Sequence, residues 1–146
     1  MTMKHSHIYA TPLGPVLIES TKSAISLVRF GGALDVQEDA PDAVTNAFAG
    51  QLLEYLAGKR RVFDVALALA GSSFQEAVWA AIQDIPYGQV RTCTDIANSI
   101  GQPTSRRQIG RAASACPCPV VVPIHRVSSL DDTLSVHLRG IESADA

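Results

Sequence analysis

The chain has 146 residues, of which 47% are hydrophobic and 18% charged, with a formal net charge of −2 at pH 7. This composition is typical of a globular protein, and it excludes a disordered chain or one that is strongly basic throughout. The length predicts one domain or two very small ones, and no apolar run approaches the ~18–20 residues of a membrane span.

The ends and the cysteines indicate a cellular compartment. The N-terminal residues lack the apolar core of a signal peptide, so we expect a cytoplasmic protein. Three cysteines are an odd number, and Cys116 and Cys118 are one residue apart. Free thiols are therefore expected. A metal site formed by these two cysteines with His125 or His137 would lack a second compact ligand pair, so we expect no metal and no cofactor.

The first half predicts a small sheet and a helix. Three short strand-like runs are separated by turn residues and cover residues 7–10, 16–20 and 24–30. Apolar residues at helical spacing follow over residues 43–57, and residues 62–69 return to a strand pattern. The Gly71-Ser72-Ser73 stretch predicts a boundary between two halves.

The second half predicts helices. Ser73 and Glu76 fit a capping box at the start of a helix whose apolar face includes Trp79, which we expect in the core. A short helix over residues 94–100 and another over residues 105–115 are joined by a tight turn. This is a helix-turn-helix pattern, in which the second helix docks on DNA.

Positive charge is concentrated around that pattern. Residues 86–126 contain five arginines and one acidic residue, a local net charge of +4, whereas the rest of the chain carries −6. Arg106, Arg107 and Arg111 fall within the predicted second helix. The planar guanidinium group suits phosphate and base-edge contacts, although a solvated helix face would show the same charges.

The segment Pro117–Val127, which contains Pro123-Ile124-His125-Arg126-Val127, resembles the signature of the O6-alkylguanine-DNA alkyltransferases. That family reads Pro-Cys-His-Arg-Val at this place, after an apolar strand. Upstream matches occur in the same order and spacing, and they are Phe74-Gln75, Val78-Trp79, Ile85-Pro86-Tyr87-Gly88, Ile96-Ala97, Arg107 and Gly110, with Thr11–Pro15 resembling the first hairpin. The resemblance therefore covers nearly the whole chain.

The resemblance implies an α/β N-terminal domain (a small antiparallel sheet plus a helix, ribonuclease-H-like, residues 1–70). A mostly α winged-helix, helix-turn-helix DNA-binding domain would follow over residues 71–146. The family flips a damaged nucleotide out of the duplex, and an arginine at the Arg107 position fills the space. A cysteine thiolate then takes the alkyl group, activated by a histidine that a glutamate orients.

The chain departs from the family pattern at decisive positions. Ile124 stands at the acceptor cysteine, and an alkane side chain has no lone pair for the transfer. Cys93 replaces the tyrosine of the helix-turn-helix, Cys116 replaces an asparagine, and His137 is assigned to the tyrosine of a later active-site loop. The domain is expected to be C-terminally shortened, ending before the helix that carries the glutamate. His125 would then be a relic of the relay, lining the pocket or packed in the core.

These observations favour a non-catalytic, alkyltransferase-like protein. It would recognise O6-alkylguanine in double-stranded DNA, act in damage recognition and repair as a monomer, and engage excision-repair proteins but no membrane. The alternative is an active methyltransferase that uses Cys116 or Cys118 as a displaced acceptor, and a decayed copy with an unstable fold is a third reading. The expected DNA contacts are Thr94, Gln102, Arg106, Arg107 and Arg111. The expected base pocket comprises Cys93, Pro119, Ile124, His125, His137 and Leu138.

Overall fold

The computed structural model describes residues 4–31, 34, 39–101, 106–128 and 132–144 of the chain. Contacts divide the chain into two compact units, residues 1–70 and 71–146. An antiparallel sheet with one helix forms the first unit and helices form the second, which confirms the predicted fold class. Within the described ranges, no helix is both long and apolar enough to cross a bilayer.

The N-terminal unit is built on three antiparallel strands in the order β1-β2-β3. The strands are β1 Lys4–Thr11, β2 Gly14–Thr21 and β3 Ala24–Phe30. Lys22 and Ser23 connect β2 to β3 with φ angles of 52° and 62°. Positive φ at both residues gives the hairpin a twist that matches the twist of its strands.

Helix α1, Ala43–Leu56, packs on this sheet. Asp42 begins the helix, since its carboxylate accepts a hydrogen bond of 2.8 Å from the Thr45 N–H. The Thr45 hydroxyl in turn accepts one of 2.9 Å from the Asp42 N–H. Phe48 and Leu52 are fully buried on the inner face of the helix, so apolar contact with the sheet holds this unit together.

Residues 62–69 correct the sequence-based prediction of a fourth strand. Leu67 makes an isolated parallel bridge with Ile25. Along this fully described segment, the bridge does not extend into a strand ladder. Phe63 instead packs on α1, with its ring centroid 5.5 Å from that of Phe48. Its ring centroid also lies 5.3 Å from that of Tyr55, so aromatic contacts with α1 and a single bridge hold the segment in place of a strand ladder.

The C-terminal unit contains four α-helices and one 3₁₀ turn within the described residues. They are α2 Ser73–Gln83, α3 Cys93–Ser99, α4 Arg106–Ser114, the 3₁₀ turn Ile124–Arg126 and α5 Thr133–Ala144. Helix α2 packs against α3, α4 and the 3₁₀ turn, and α5 packs against the 3₁₀ turn.

Helix α2 begins one residue earlier than predicted. The cap is Ser72, whose hydroxyl accepts from the Gln75 N–H while the Gln75 side chain accepts from the Ser72 N–H. The predicted pair of Ser73 and Glu76 is therefore wrong by one position. Trp79 is 1% exposed and donates its indole N–H to the Ala112 carbonyl of α4 at 2.8 Å. The predicted core position of Trp79 is confirmed, and its hydrogen bond ties α2 to α4.

Helices α3 and α4 follow each other as the helix-turn-helix pattern predicts. Thr92 caps α3 through a reciprocal pair of hydrogen bonds with Asp95. Gly101 has a φ of 70°, a left-handed conformation that suits glycine after the end of a helix. Strand pairing in the described part of this unit is limited to isolated bridges such as Arg91 with Val127, so a wing remains a prediction.

Helix α5 overturns the expectation that the chain ends before a C-terminal helix. Asp132 begins α5 by accepting hydrogen bonds from the N–H and hydroxyl of Ser135, at 3.0 and 2.7 Å. Leu138 is 1% exposed and Glu142 is 2% exposed. The buried carboxylate of Glu142 lies against the 3₁₀ turn, which brings the glutamate of the helix to the histidine.

Candidate functional site

A buried cluster of three ionisable side chains lies between α5 and the 3₁₀ turn. The Nε2 atom of His125 is 2.6 Å from Oε2 of Glu142. The guanidinium of Arg126 donates to both oxygens of the same carboxylate, at 2.8 and 3.0 Å. Glu142 thus accepts hydrogen bonds from two side chains at once. The bidentate contact with Arg126 fixes the plane of the carboxylate.

The turn that joins α2 to α3 completes the surroundings of the carboxylate. The Gly88 N–H donates to Oε1 of Glu142 at 3.0 Å. Arg126 donates its third guanidinium contact to the Ile85 carbonyl at 2.7 Å and lies over the Tyr87 ring at 5.6 Å from its centroid. The hydrogen bonds from these donors replace the water that the carboxylate loses on burial.

The electrostatics of His125 favour the neutral imidazole. Burial lowers the pKa of His125, because removal from water penalises the charged form. The hydrogen bond and negative charge of Glu142 act in the opposite direction, and the positive charges of Arg126 and Arg139 add to the lowering. A neutral histidine oriented by a carboxylate is the arrangement that a general base requires.

The sequence-based reasoning missed Glu142. The relay was predicted to retain one member of three, whereas the structure brings the glutamate to His125 on α5. A local signal was present, because Ser135, Leu138 and Glu142 recur at spacings of three and four and all three are buried. A buried glutamate on such a face indicates a polar partner from elsewhere in the chain.

Position 124 lies next to this intact pair. Ile124 begins the 3₁₀ turn and is half-buried. Among the other predicted pocket residues, Cys93 begins α3 and is buried, Pro119 is half-buried and Leu138 is in the core. His137 is exposed on α5 and not in a loop, and its place in a base pocket stays a prediction. The connection from Val127 to α5 spans only residues 128–132, which leaves little chain for such a loop.

The two neighbouring cysteines, Cys116 and Cys118, are both buried. Cys118 is fully buried and Cys116 is 7% exposed. Burial raises the pKa of the Cys116 thiol to about 11, despite a hydrogen bond from the Cys118 N–H that favours the thiolate. Because the thiolate is the nucleophile, Cys116 is a poor alkyl acceptor at neutral pH. In the described part of the chain, no three His, Cys, Asp or Glu side chains are arranged to hold a metal ion.

Four of the five predicted DNA contacts are exposed, and the fifth lies outside the residues that the structure describes. Arg106, Arg107 and Arg111 are all exposed on α4, and Thr94 is exposed on α3. Gln102 lies outside the described residues. Arg126, which contributes to the local charge of +4, is neutralised by Glu142 and takes no part in this surface. Among the described residues of this unit, the fully exposed arginines are therefore the three of α4.

Two family models match the chain and together cover nearly all of it. Residues 4–69 match the 6-O-methylguanine DNA methyltransferase ribonuclease-like domain. Residues 73–146 match the 6-O-methylguanine DNA methyltransferase DNA-binding domain. The junction between the two matches falls at the boundary between the two compact units.

Curated relatives and solved structures agree with these matches. A methylated-DNA–protein-cysteine methyltransferase of Methanosarcina acetivorans is 34% identical over 92% of this chain and 90% of its own length. One of Mycobacterium bovis is 33% identical over 95% of this chain and 87% of its own.

Among structures, the O6-methylguanine methyltransferase of Mycobacterium tuberculosis superposes with a TM-score of 0.88 at 31% identity, covering 99% of this chain and 95% of that one. The Mycobacterium tuberculosis protein solved in complex with DNA gives a TM-score of 0.85 at 32% identity, over 97% and 94% of the two chains. With both domain models matched in order, the chain belongs to the 6-O-methylguanine DNA methyltransferase family.

Proposed function

We propose that the chain binds double-stranded DNA through α3 and α4 and recognises O6-alkylguanine without accepting the alkyl group. One observation carries the proposal: Ile124 precedes His125 of an assembled His125–Glu142 pair, and α4 of the same unit presents three exposed arginines. The histidine that would activate a nucleophile is in place. The alkyl side chain of Ile124, at the acceptor position, has no nucleophilic atom.

Duplex binding is supported by the charge of α4. Arg107 and Arg111 are four residues apart, so their side chains project from the same face, one helical turn apart. Guanidinium groups on an exposed face contact phosphate oxygens and supply affinity that is independent of sequence. The Mycobacterium tuberculosis relative was solved in complex with DNA, which supports DNA binding by this chain.

Recognition of the lesion would take place at the 3₁₀ turn. A flipped O6-alkylguanine would enter beside Ile124 and His125, and Arg107 would fill the space left in the duplex. The half-buried alkyl side chain of Ile124 offers an apolar contact to the alkyl group, where the family chemistry places a thiol. The bound lesion would then persist and mark the site for excision-repair proteins. A monomeric state and a cytoplasmic location are further parts of this proposal.

A displaced acceptor is the second candidate function, because Cys116 and Cys118 lie close in sequence to the signature segment. Their burial opposes it, since a nucleophile must reach within about 3–3.5 Å of the reacting atom. The raised pKa of Cys116 opposes it as well. We therefore favour recognition over transfer.

The deciding experiment measures binding and transfer on one duplex. Mobility-shift titrations compare a duplex that contains O6-methylguanine with the same duplex containing guanine, and intact-protein mass spectrometry follows each incubation. We expect tighter binding to the damaged duplex and no gain of a methyl group by the protein. Equal affinity for the two duplexes would contradict lesion recognition, and a stoichiometric methyl adduct on Cys116 or Cys118 would establish the alternative.

Arg107→Ala tests the docking mode in the same assay, with Arg29→Ala as the control. Arg29 is exposed on β3 in the N-terminal unit. Loss of Arg107 is expected to weaken binding to the damaged duplex most. The positive charge lost with Arg107 should also reduce the slope of log affinity against log salt by up to about one unit. The same loss of affinity in Arg29→Ala would assign the effect to net charge alone.

A further inference from the structure

Arg139 of α5 contacts the backbone of the turn that carries positions 124 and 125. Its Nη1 atom donates to the His125 carbonyl at 3.0 Å and lies 3.4 Å from the Val127 carbonyl. The side chain is half-buried against the turn. One guanidinium therefore reaches two carbonyl groups at the end of the 3₁₀ turn, where helical carbonyls lack partners within the helix.

Helix α5 contacts both side chains and backbone of this turn. Arg139 and Glu142 are three residues apart and so lie on the same face of the helix. Glu142 binds the side chains of His125 and Arg126, whereas Arg139 binds the carbonyl of His125. Residues of α5 thus hold both the side chain and the backbone carbonyl of His125. These contacts limit the movement of the imidazole.

We propose that Arg139 is a positioning residue, which holds the turn Ile124–Arg126 in the geometry that a flipped base meets. The importance of this geometry for lesion selectivity depends on the function proposed above. A turn that is already fixed loses little conformational freedom when a base enters, so preorganisation raises the affinity for the lesion. The DNA contacts of α4 are made by other residues and do not depend on Arg139.

The first arm of the test requires no DNA. Amide hydrogen exchange of the folded protein is compared for the parent chain, Arg139→Met and Arg139→Lys. The Arg126 and Val127 amides donate to the Pro123 and Ile124 carbonyls within the turn. In Arg139→Met, we expect the hydrogens of these two amides to exchange about five to ten times faster, because a lost hydrogen bond loosens the turn locally. The exchange rates of the α2 amides should not change. Arg139→Lys, which retains a cationic donor, should restore part of the protection.

A purely structural role would have a different signature. If Arg139→Met accelerates exchange throughout the C-terminal unit by the same factor, the arginine stabilises the fold as a whole and the positioning role is overturned. Unchanged exchange at Arg126 and Val127 would overturn it equally. Arg29→Met is the matched control for loss of an exposed arginine, and it should leave the turn unchanged.

The second arm measures selectivity. The ratio of affinities for the O6-methylguanine and guanine duplexes should fall about fivefold in Arg139→Met, with affinity for the guanine duplex retained. An equal loss on both duplexes would contradict the proposal. If the parent chain itself fails to distinguish the two duplexes, the proposed function fails, and the hydrogen-exchange arm still decides whether Arg139 positions the turn.

Discussion

His125 and Glu142 are 17 positions apart in the chain and share a buried hydrogen bond of 2.6 Å. Both side chains are almost fully removed from solvent, at 1% and 2% exposure. A buried carboxylate is costly unless its partners are in place, so the pair depends on Arg126 and on the Gly88 N–H as well. The histidine, the C-terminal helix and the turn that precedes the helix-turn-helix are consequently joined through one carboxylate.

Replacing Glu142 with glutamine should destabilise the C-terminal unit. The amide preserves the volume but leaves the buried guanidinium of Arg126 without its counter-charge. Breaking a buried ion pair in this way costs about 3–5 kcal/mol. Urea denaturation followed by circular dichroism measures the change.

Glu54→Gln is the matched control for Glu142→Gln. Glu54 pairs with Arg60 at 3.2 Å on an exposed surface of the N-terminal unit. Its loss should change stability by less than about 1 kcal/mol, because exposed ion pairs contribute little. Similar losses in the two variants would show that the buried cluster does not stabilise the fold in the way its geometry indicates.

Acid should weaken the fold through His125. Its pKa in the folded chain is lowered by burial, so the unfolded chain takes up a proton at higher pH than the folded chain does. The free energy of unfolding should therefore decline as the pH falls below the ordinary histidine value of about 6.5. The slope can reach about 1.4 kcal/mol per pH unit, until the folded histidine also becomes protonated.

Two histidine variants isolate this effect in denaturation curves between about pH 7.5 and 5. His125→Gln should flatten the pH dependence, since glutamine can contact Glu142 and does not titrate. His137→Gln removes an exposed histidine of α5 and is the control for loss of a histidine outside the buried pair. An unchanged slope in His125→Gln would assign the pH dependence to other groups.

Ile124→Cys should gain alkyl transfer. The substitution places a thiol next to a neutral histidine already oriented by Glu142, and a neighbouring base is what activates such a nucleophile. After incubation with O6-methylguanine DNA, we expect up to one methyl group per chain, mapped to residue 124 by peptide mass spectrometry. Ile124→Ala, which adds no thiol, should acquire none.

The double variant Ile124→Cys, Glu142→Gln tests the mechanism of that gain. Transfer should be slower by about 10²–10⁴-fold if the oriented base contributes in the usual range. Transfer at the same rate with and without Glu142 would contradict the role assigned to the pair. Failure of Ile124→Cys to react at all would indicate that the turn does not bring position 124 to the lesion.

Gly71→Ala should destabilise the C-terminal unit by steric conflict. A methyl group at this position would lie 2.5 Å from a ring carbon of Trp79, closer than packed atoms allow. Because Trp79 is anchored by its hydrogen bond to Ala112, the ring cannot move away freely. Overpacking of this kind costs about 1–3 kcal/mol.

Gly140→Ala is the control for Gly71→Ala and should change stability in the opposite direction. A methyl group on this α5 residue meets nothing within 4 Å, and alanine favours the helix. The two melting temperatures, measured by calorimetry, should therefore shift in opposite directions. A neutral Gly71→Ala would show that the tryptophan ring has room to rearrange.

Local patterns made much of the fold predictable. Alternating apolar residues and turn residues locate β1, β2 and β3, and apolar spacing locates α1. The α3–α4 pair follows from two short helical runs around Gly101. These elements depend on interactions between residues close in sequence, which is why the sequence alone reveals them.

The parts that the sequence did not predict depend on contacts between distant residues. Residues 62–69 alternate like a strand, yet the segment meets the sheet in a single bridge and packs Phe63 against α1. Arg126 resembles the exposed arginines of α4 in residue type, and only the carboxylate of Glu142 distinguishes it as a buried residue. The burial of such a charge depends on its partner, so no local pattern identifies Arg126 as buried.

The anchored position of Trp79 makes it an optical reporter for half of the molecule. It is the only tryptophan in the sequence, and it lies in the C-terminal unit with its ring in the core. Its fluorescence will change when α2 and α4 separate, whereas unfolding of the N-terminal sheet will change the circular dichroism. Following both signals in one urea titration will show whether the two units unfold in one cooperative step or in succession.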